Sequence, residues 1–312
     1  MKPNRKPDKD LRFEYHTDYS NDNVFASKSR LLQSIWRKEK GLEFVKYGNF
    51  IEPNSAKKSG ANFLTEGIIE IVRYEVENKS KDRKVIKEPR IWNNLLSSQP
   101  MAFNLFGELK IHLDIATKVF KKLFPKKKIK EVTQIEFEYS PGRRSDKYTS
   151  DSSAFDVFVV YENGNMQKGF FGIEVKYSEH LNDAPSSHKK RYEEVSEESE
   201  VFDMSKLEEL KKKPIQQIWR DHLLALSMSK INKEYDFGDF VYLYPKGNTN
   251  CQNGVNKYQT VIKENTESHF IPLTLEKFIE ELKKICDENW VSDFEDRYLN
   301  FEKINKKKKA KG

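Results

Sequence analysis

Apolar residues recur every three or four positions through much of the chain, which is the spacing of a helix with one buried face. Residues 27–40 are typical, because Leu31, Leu32, Ile35 and Trp36 fall on one side of such a helix. The same pattern predicts further helices over residues 60–80, 88–106, 106–123, 215–230, 274–287 and 289–302.

From residue 129 onward the pattern changes to short runs that are typical of β-strands, rich in aromatic and β-branched residues. Strands are predicted over residues 129–139, 153–161, 169–177 and 238–244. The turn-forming sequence Asn163-Gly164-Asn165 joins the second and third of them. These two strands are apolar on both faces, as expected in the middle of a covered sheet. The order of elements predicts an α/β fold in which helices flank a mixed central sheet.

The chain of 312 residues shows no internal repeat and no linker rich in proline, glycine or serine. We therefore predict a single domain over residues 27–302, with an N-terminal helical part (27–123) and a core (124–302). Residues 1–26 are expected to be a flexible N-terminus, and residues 303–312 form a basic tail.

Composition narrows the class of protein further. Hydrophobic residues make up 37% of the chain and charged residues 34%, which favours a globular protein with a heavily charged surface. The sequence has no apolar run long enough to cross a membrane, and its polar first ten residues predict that no secretory signal is present. Cys251 and Cys286 lie far apart, which predicts neither a disulfide framework nor a zinc site. A cytoplasmic protein without a membrane partner is expected.

The net charge of +7 permits binding to a polyanion but does not require it. Part of the excess lies in the tail and part in the lysine-rich stretch 125–130. Such runs are either solvated surface or contacts to phosphates, and the sequence leaves both readings open. The charged stretch 183–213 has the same two readings.

Three charged residues stand out within the two apolar strands. Glu174 and Lys176 are two positions apart, so their side chains point to the same face of one strand. If the two strands form a hairpin centred near Asn165, Asp156 lies directly opposite Glu174. Facing carboxylates destabilise a sheet, and charges in a half-buried place cost several kcal/mol unless they are paired or bind a metal.

A bound Mg²⁺ would resolve this conflict, with Mn²⁺ as a substitute. Mg²⁺ takes one or two carboxylates, leaves room for a phosphate oxygen and activates a water molecule. Asp156, Glu174 and the carbonyl of Val175 are the expected metal ligands, and Lys176 would orient the water or offset charge at the phosphorus. An interior ion-pair cluster of Asp156, Glu174 and Lys176 without a catalytic role is the alternative.

The pattern of Asp156 followed by Glu174-x-Lys176 resembles the PD-(D/E)xK nuclease superfamily, to which many restriction endonucleases belong. Asp156 follows Phe155 instead of proline, a departure that the superfamily tolerates. Six blocks also resemble a bacterial family of restriction-endonuclease-like proteins: RLLQSIWR, NNLLSSQPMAFNLFG, SAFDVFVVY, GFFGIEVKYSE, IWRDHLLALSM and FVYLYPKGN. The resemblance implies a restriction-endonuclease-like core in which Asp156 and Glu174 bind metal and Lys176 is the catalytic lysine.

Members of the superfamily often carry an extra acidic or polar residue on the helix before the core strands. Gln99 and Glu108 are candidates for this supporting role, with local capping or buried hydrogen bonding as the alternative. Pro100 is expected to break or kink its helix near Gln99. Gln217 and Arg220 lie three positions apart on the 215–230 helix, so both could project toward the site.

Five basic residues are candidates for nucleic-acid binding because they precede or follow the catalytic strands. The candidates are Arg143, Arg144, Lys189, Lys190 and Arg191. Solvated loop charge is the alternative for each of them. His222 is expected to be a hydrogen-bonded structural histidine and not a general base.

The leading hypothesis is a Mg²⁺-dependent DNA endonuclease, in restriction or phage defence. A homodimer would bring two sites to the two DNA strands. Two other classes remain open: a DNA-binding protein on the same fold that does not cleave, and a regulatory subunit that acts with a partner in a defence system. No motif predicts the sequence that would be recognised.

Overall fold

The computed structural model describes residues 5–181 and 185–309. Its helices, in chain order, are α1 Lys9–Glu14, α2 Val24–Glu39, α3 Pro53–Ser59, α4 Glu66–Asn78, α5 Arg90–Asn93, α6 Ser98–Ile111, α7 Leu113–Leu123, α8 Lys190–Ser199, α9 Leu207–Leu210, α10 Gln216–Ile231, α11 Thr249–Gln259, α12 Leu275–Lys283, α13 Asn289–Tyr298 and α14 Glu302–Lys309. Its strands are β1 Phe44–Lys46, β2 Phe50–Ile51, β3 Ile129–Tyr139, β4 Phe155–Asn163, β5 Lys168–Val175, β6 Phe237–Tyr244 and β7 Phe270–Thr274.

The central sheet has five strands in the order β3-β4-β5-β6-β7. Strands β3, β4 and β5 pair with one another in antiparallel orientation, whereas β6 pairs in parallel with β5, and β7 in parallel with β6. The small hairpin of β1 and β2 is separate from it. The sheet is therefore mixed and flanked by helices, which confirms the predicted α/β restriction-endonuclease-like class.

Helices cover both faces of this sheet because the strands are apolar on both sides. Val157 and Phe171 belong to the larger core, which includes residues of α4, α6, α7, α12 and α13. Phe158 and Phe170 point the opposite way, into a second core with residues of α8, α10 and α11. Since successive side chains alternate between the faces, each buried strand contributes to two cores at once.

All four predicted strands are confirmed, with ends that differ by at most two residues. The fifth strand, β7, was missed, as were the hairpin of β1 and β2 and the helix α11. The interruption predicted near Gln99 falls earlier, between α5 and α6, so that Pro100 lies in the first turn of α6. A proline is tolerated there because the first amides of a helix have no partner within it.

The two ends of the described chain pack against each other around α2. Helix α1 lies in the segment for which flexibility was expected, and its Leu11 packs with Leu31 and Ile35. Helix α14 extends into the predicted basic tail, where Ile304 joins the same cluster and Lys303 forms an ion pair with Glu39. The remaining parts of both predicted segments, 1–4 and 310–312, lie outside the described residues, and the domain boundaries stay predictions.

His222 lies within the second core, as the interpretation of a structural histidine requires. It is fully buried, and its Nδ1 shares a hydrogen bond of 2.8 Å with the Tyr258 hydroxyl. Burial lowers its pKa to about 3.

Among the described helices, none combines the length and the apolar character that a membrane span needs.

The burial of His222 predicts acid-sensitive folding. The unfolded chain takes up a proton on His222 below about pH 6.5, whereas the folded chain does so only near pH 3, so the contribution of His222 to the free energy of unfolding falls across that range. Between pH 7 and 4.5 this contribution should fall by about 2 to 3 kcal/mol. In urea unfolding, the stability of wild type relative to His222→Gln should therefore fall by that amount between pH 7 and pH 4.5, because all other groups titrate alike in the two proteins. The exposed His16→Gln is the matched control, and an equal slope in all three proteins would contradict the assignment.

Candidate active site

Three carboxylates lie side by side across three adjacent strands. Val157 pairs with Ile173 between β4 and β5, so the next residues in register, Asp156 and Glu174, face each other. The pairs that flank Glu138 on β3 set it opposite Asp156 in the same way. Residues in register across a sheet project to the same face. The row Glu138, Asp156 and Glu174 therefore concentrates negative charge at one place on the sheet.

The protein surrounds this row closely enough to perturb its proton affinity. Burial, followed by the charges of Glu174 and Glu138, raises the pKa of Asp156 well above its ordinary value. The backbone amide of Val175 donates a hydrogen bond of 2.8 Å to Oδ2 of Asp156. This bond fixes the carboxylate and uses only one of its two oxygens. Three carboxylates this close together must be stabilised by a bound proton or a cation.

Lys176 lies beside the row, at the end of β5. Its Nζ donates hydrogen bonds to Oε1 of Glu174 (2.6 Å) and to Oε1 of Gln217 (3.1 Å). Gln217 in turn donates from Nε2 to the same Glu174 oxygen, at 2.9 Å. Burial opposes the charge on Lys176, but Glu174, Glu179 and Asp156 outweigh it and raise the pKa of the lysine. Lys176 therefore remains a cation at neutral pH.

A cavity of about 380 Å³ opens over the acidic row. Its walls come from the segment before α5, the start of α6, the strands β3 to β5 and the helix α10. The lining residues are Val85, Lys87, Arg90, Ser98, Gln99, Glu138, Arg143, Ser152, Ser153, Ala154, Asp156, Glu174, Gln217, Arg220 and Asp221. The cavity is polar and carries both signs of charge, which suits a charged substrate better than an apolar one.

Glu138 is held by two of the residues that the sequence indicated. Gln99 donates a hydrogen bond from Nε2 to Oε1 of Glu138, and Arg143 lies 3.8 Å from its other oxygen. Burial raises the pKa of Glu138 to about 7, against the opposing effects of Gln99 and Arg143. Gln99 and Arg143 thus contact the site through a carboxylate that sequence reasoning had missed.

Helix α10 supplies the opposite wall of the cavity. Arg220 donates hydrogen bonds to Asp151 (2.8 Å), Ser153 (2.9 Å) and Ser186 (2.8 Å). These contacts connect the loop before β4, the segment before α8 and α10. Arg220 therefore positions the walls of the site and does not touch the acidic row directly.

Asp221 adds a fourth carboxylate to the cavity. Only 5% of this residue is exposed, and its Oδ2 has no hydrogen-bond partner among the described residues. Burial and the nearby charge of Glu174 raise its pKa well above the ordinary value. An orphaned carboxylate oxygen in a buried place is costly, so it favours a ligand that can bind there.

Several predicted site residues lie elsewhere. Glu108 does not line the cavity: it accepts a hydrogen bond from Thr65 at the start of α4. Gln99 and Glu108 are nine positions apart, about two and a half turns, so they occupy opposite sides of α6. The supporting role proposed for Glu108 is therefore not favoured by its position.

The basic residues divide in a similar way. Arg143 lines the cavity, whereas Arg144 is exposed outside it. Lys189 and Lys190 are exposed at the start of α8. Arg191 forms ion pairs with Glu194 and Glu198 away from the cavity. Of these five candidates, only Arg143 lies in the site, and a role of the others in binding stays a prediction.

Comparison with known families bears on this geometry. A family model described as PD-(D/E)XK nuclease superfamily matches residues 20–300. The chain belongs to the PD-(D/E)XK nuclease superfamily. No curated protein and no solved structure matches the chain. The resemblance read from Asp156, Glu174 and Lys176 is confirmed at the level of the family.

Membership in the PD-(D/E)XK superfamily supports a nuclease-type function, that is, a phosphodiesterase. Nucleases of this superfamily generally use divalent metals. The donor set fits such an ion, because Glu138, Asp156 and Glu174 offer carboxylate oxygens in one row and Asp221 has an oxygen without a partner. Hard divalent cations prefer ligands of this kind.

Proposed function

We propose that this protein is a Mg²⁺-dependent endonuclease that hydrolyses phosphodiester bonds of DNA, with Asp156, Glu174 and Lys176 as its catalytic residues. The observation that carries the proposal is the row of facing carboxylates that lines a polar cavity, with Lys176 hydrogen-bonded to one of them, Glu174. A purely structural ion-pair cluster would not need three carboxylates in register: Lys176 pairs with Glu174 and Arg143 lies near Glu138, which leaves Asp156 between them.

Asp156 and Glu174 would hold the divalent cation, together with Glu138 and the carbonyl of Val175. When bound, the cation supplies a Lewis acid for a phosphate oxygen and lowers the pKa of water. Mn²⁺ should replace Mg²⁺ because both accept octahedral oxygen ligands. The side chains of the protein orient the reacting groups and compensate their charge.

Lys176 offsets the negative charge that develops on the phosphate as the water attacks. Its ammonium group is fixed in advance by Glu174 and Gln217, so little reorganisation is needed during the reaction. Gln217 contacts both Glu174 and Lys176 and thereby keeps the pair in one geometry. Gln217 is a positioning residue in this scheme.

The charges at the mouth of the cavity support a nucleic-acid substrate. Lys87 and Arg90 are exposed there, and Arg143, which lines the same cavity, is less exposed. Cationic side chains around a metal-binding centre are suited to the phosphates on either side of the one that is cut. With a net charge of +7, the protein should attract DNA at low salt.

Resemblance to restriction endonucleases leads us to propose restriction or phage defence as the biological setting. A homodimer would allow the two strands of a duplex to be cut at two sites. A cytoplasmic location and a partner from a defence system belong to the same proposal. Linear plasmid as the first product would support paired sites, whereas nicked circles would support a single site.

The raised pKa of Glu138 predicts a pH-dependent metal affinity. At pH 6 Glu138 is mostly protonated in the metal-free protein, and at pH 8 it is mostly ionised, since its pKa is about 7. A proton competes with the cation, so Mg²⁺ should bind about tenfold more tightly at pH 8 than at pH 6. Calorimetric titration should show a flatter profile in Glu138→Gln. An identical profile in both proteins would remove Glu138 from the ligand set.

The proposal is tested with supercoiled plasmid in Mg²⁺, Mn²⁺ or EDTA. Wild type should nick or linearise the plasmid in either metal and not in EDTA, and Asp156→Ala and Lys176→Ala should be inactive. Exposed Lys168→Ala, on the same strand as Glu174, should cleave normally. Plasmid that stays intact in both metals, in the presence of folded protein that binds DNA, would favour the non-cleaving DNA-binding protein instead.

A further inference from the structure

A second group of metal-ligating side chains lies at the starts of β6 and β7. Asp239, Glu267 and His269 each bring one ligand atom within 4.8 Å of the others. Asp239 is only 1% exposed, whereas His269 is half-buried and Glu267 is exposed. One buried carboxylate, one imidazole and one carboxylate reachable from solvent form an open site that an ion could enter.

This group is separate from the nuclease site. Glu174 pairs with Tyr242 across β5 and β6, whereas Asp239 pairs with Phe171. The two acidic residues are therefore three positions apart in register, which is about 10 Å along the strands and on opposite faces of the sheet. A cation at Asp239 would share no ligand with the carboxylate row.

The charges around Asp239 are only partly balanced. Lys127 Nζ lies 2.7 Å from Oδ1 of Asp239 and 3.6 Å from Glu267, and Nδ1 of His269 lies 3.3 Å from the same Asp239 oxygen. Oδ2 of Asp239 has no hydrogen-bond partner in the described chain. One ammonium group therefore faces two carboxylates and leaves a buried oxygen without any donor.

Tyr161 provides a second unsatisfied group at this place. Its side chain is fully buried, and its hydroxyl also lacks a partner among the described residues. Burial, and then the charges of Asp239 and Glu267, raises the pKa of this phenol. Two buried polar atoms without partners, close to one charged cluster, are costly unless a ligand or an ordered water binds them.

We propose that Asp239, Glu267 and His269 bind a divalent transition-metal ion of the Zn²⁺ class, which displaces the ammonium group of Lys127. A mixed nitrogen and oxygen donor set suits Zn²⁺ better than Mg²⁺. Three protein ligands leave a coordination position for water. The ion would tie the segment that carries Glu267 to the edge of the sheet, and its role would be structural, independent of the proposed nuclease activity.

The test uses the full chain with the nuclease site silenced by Asp156→Asn and Glu174→Gln. Titration with Co²⁺, followed by its visible absorption, and with Zn²⁺, followed by calorimetry, should show one equivalent bound. Adding His269→Gln or Glu267→Gln should weaken binding by roughly 100-fold. His16→Gln is the matched control and should change nothing. Binding that is absent, or unaffected by either ligand variant, would overturn the proposal.

Lys127→Met distinguishes a metal site from a simple ion pair. If the ammonium group competes with the ion, this variant should bind Zn²⁺ more tightly, and Zn²⁺ should restore the stability lost with the lysine. Lys126→Met, its exposed neighbour, should leave both properties unchanged. A Lys127→Met protein that is destabilised and not rescued by Zn²⁺ would show that Asp239 serves only as the partner of Lys127.

Discussion

Replacing Lys176 with methionine is expected to lower the single-turnover rate of DNA cleavage by about 100- to 1000-fold. Methionine keeps most of the side-chain volume of lysine. It removes the positive charge of Nζ, which lies 2.6 Å from Oε1 of Glu174. Since the lysine is 7% exposed, the solvent cannot replace that charge. DNA binding in Ca²⁺ should change little, because Lys176 acts on the reacting phosphate and not along the DNA backbone.

Lys168→Met is the matched control, since this lysine lies on the same strand and is exposed. It should cleave at the wild-type rate. Gln217→Leu should fall between the two, because Lys176 keeps its bond to Glu174 when the amide is lost. Equal rates for the Lys176 and Lys168 variants would mean that Lys176 only neutralises Glu174, and the catalytic role would have to be abandoned.

The facing of Asp156 and Glu174 could be predicted because it depends on local chemistry. The Asn163-Gly164-Asn165 turn fixes the register of a short hairpin, and the register predicted from it agrees with the observed pairing of Val157 with Ile173. The lysine follows from the same reasoning, since it lies two residues beyond Glu174. The residues that face each other within one hairpin can therefore be predicted when the turn is short.

Glu138 could not be found in this way. It belongs to β3, whose connection to β4 is a long loop, so no turn geometry sets the register between them. Its neighbour Glu136 is equally acidic, and nothing in the sequence favours one over the other. Only the pairing of the strands shows that Glu138 faces Asp156.

Helix α10 illustrates the partial success of periodicity. The spacing of Gln217 and Arg220 on one helical face predicts that both project toward the site, and both line the cavity. Asp221 lies on the same face as Gln217, four positions further on, yet nothing in its sequence context singles it out. A buried acid without a partner cannot be distinguished in sequence from a solvated one, because burial is a tertiary property. The same limit explains why β7 was missed: its pairing with β6 is long-range.

Buried hydrogen bonds link Arg297 through Gln33 to Tyr177, the residue that follows Lys176. Arg297 is fully buried and donates to Oδ1 (2.6 Å) and the carbonyl (2.8 Å) of Asn62 and to Oε1 of Gln33 (3.1 Å). Burial lowers the pKa of its guanidinium. Gln33 also donates to the hydroxyl of Tyr177, which directly follows Lys176. Helices α2 and α13 are thereby connected to the end of β5.

Arg297→Met should therefore destabilise the fold by about 3 to 5 kcal/mol, since Oδ1 of Asn62 and Oε1 of Gln33 remain buried without this donor and the Asn62 carbonyl keeps only its bond from Asn104. Stacking of the guanidinium on Trp36, at 3.9 Å from the ring centroid, is lost as well. Exposed Arg73→Met is the matched control and should cost less than about 1 kcal/mol. Urea unfolding at pH 7 measures both. An Arg297→Met protein as stable as wild type would contradict this prediction, because the cost of burying the charge would then equal the stability that the hydrogen bonds contribute. The rate of DNA cleavage by that variant would then show whether Tyr177 needs these hydrogen bonds to hold Lys176 in place.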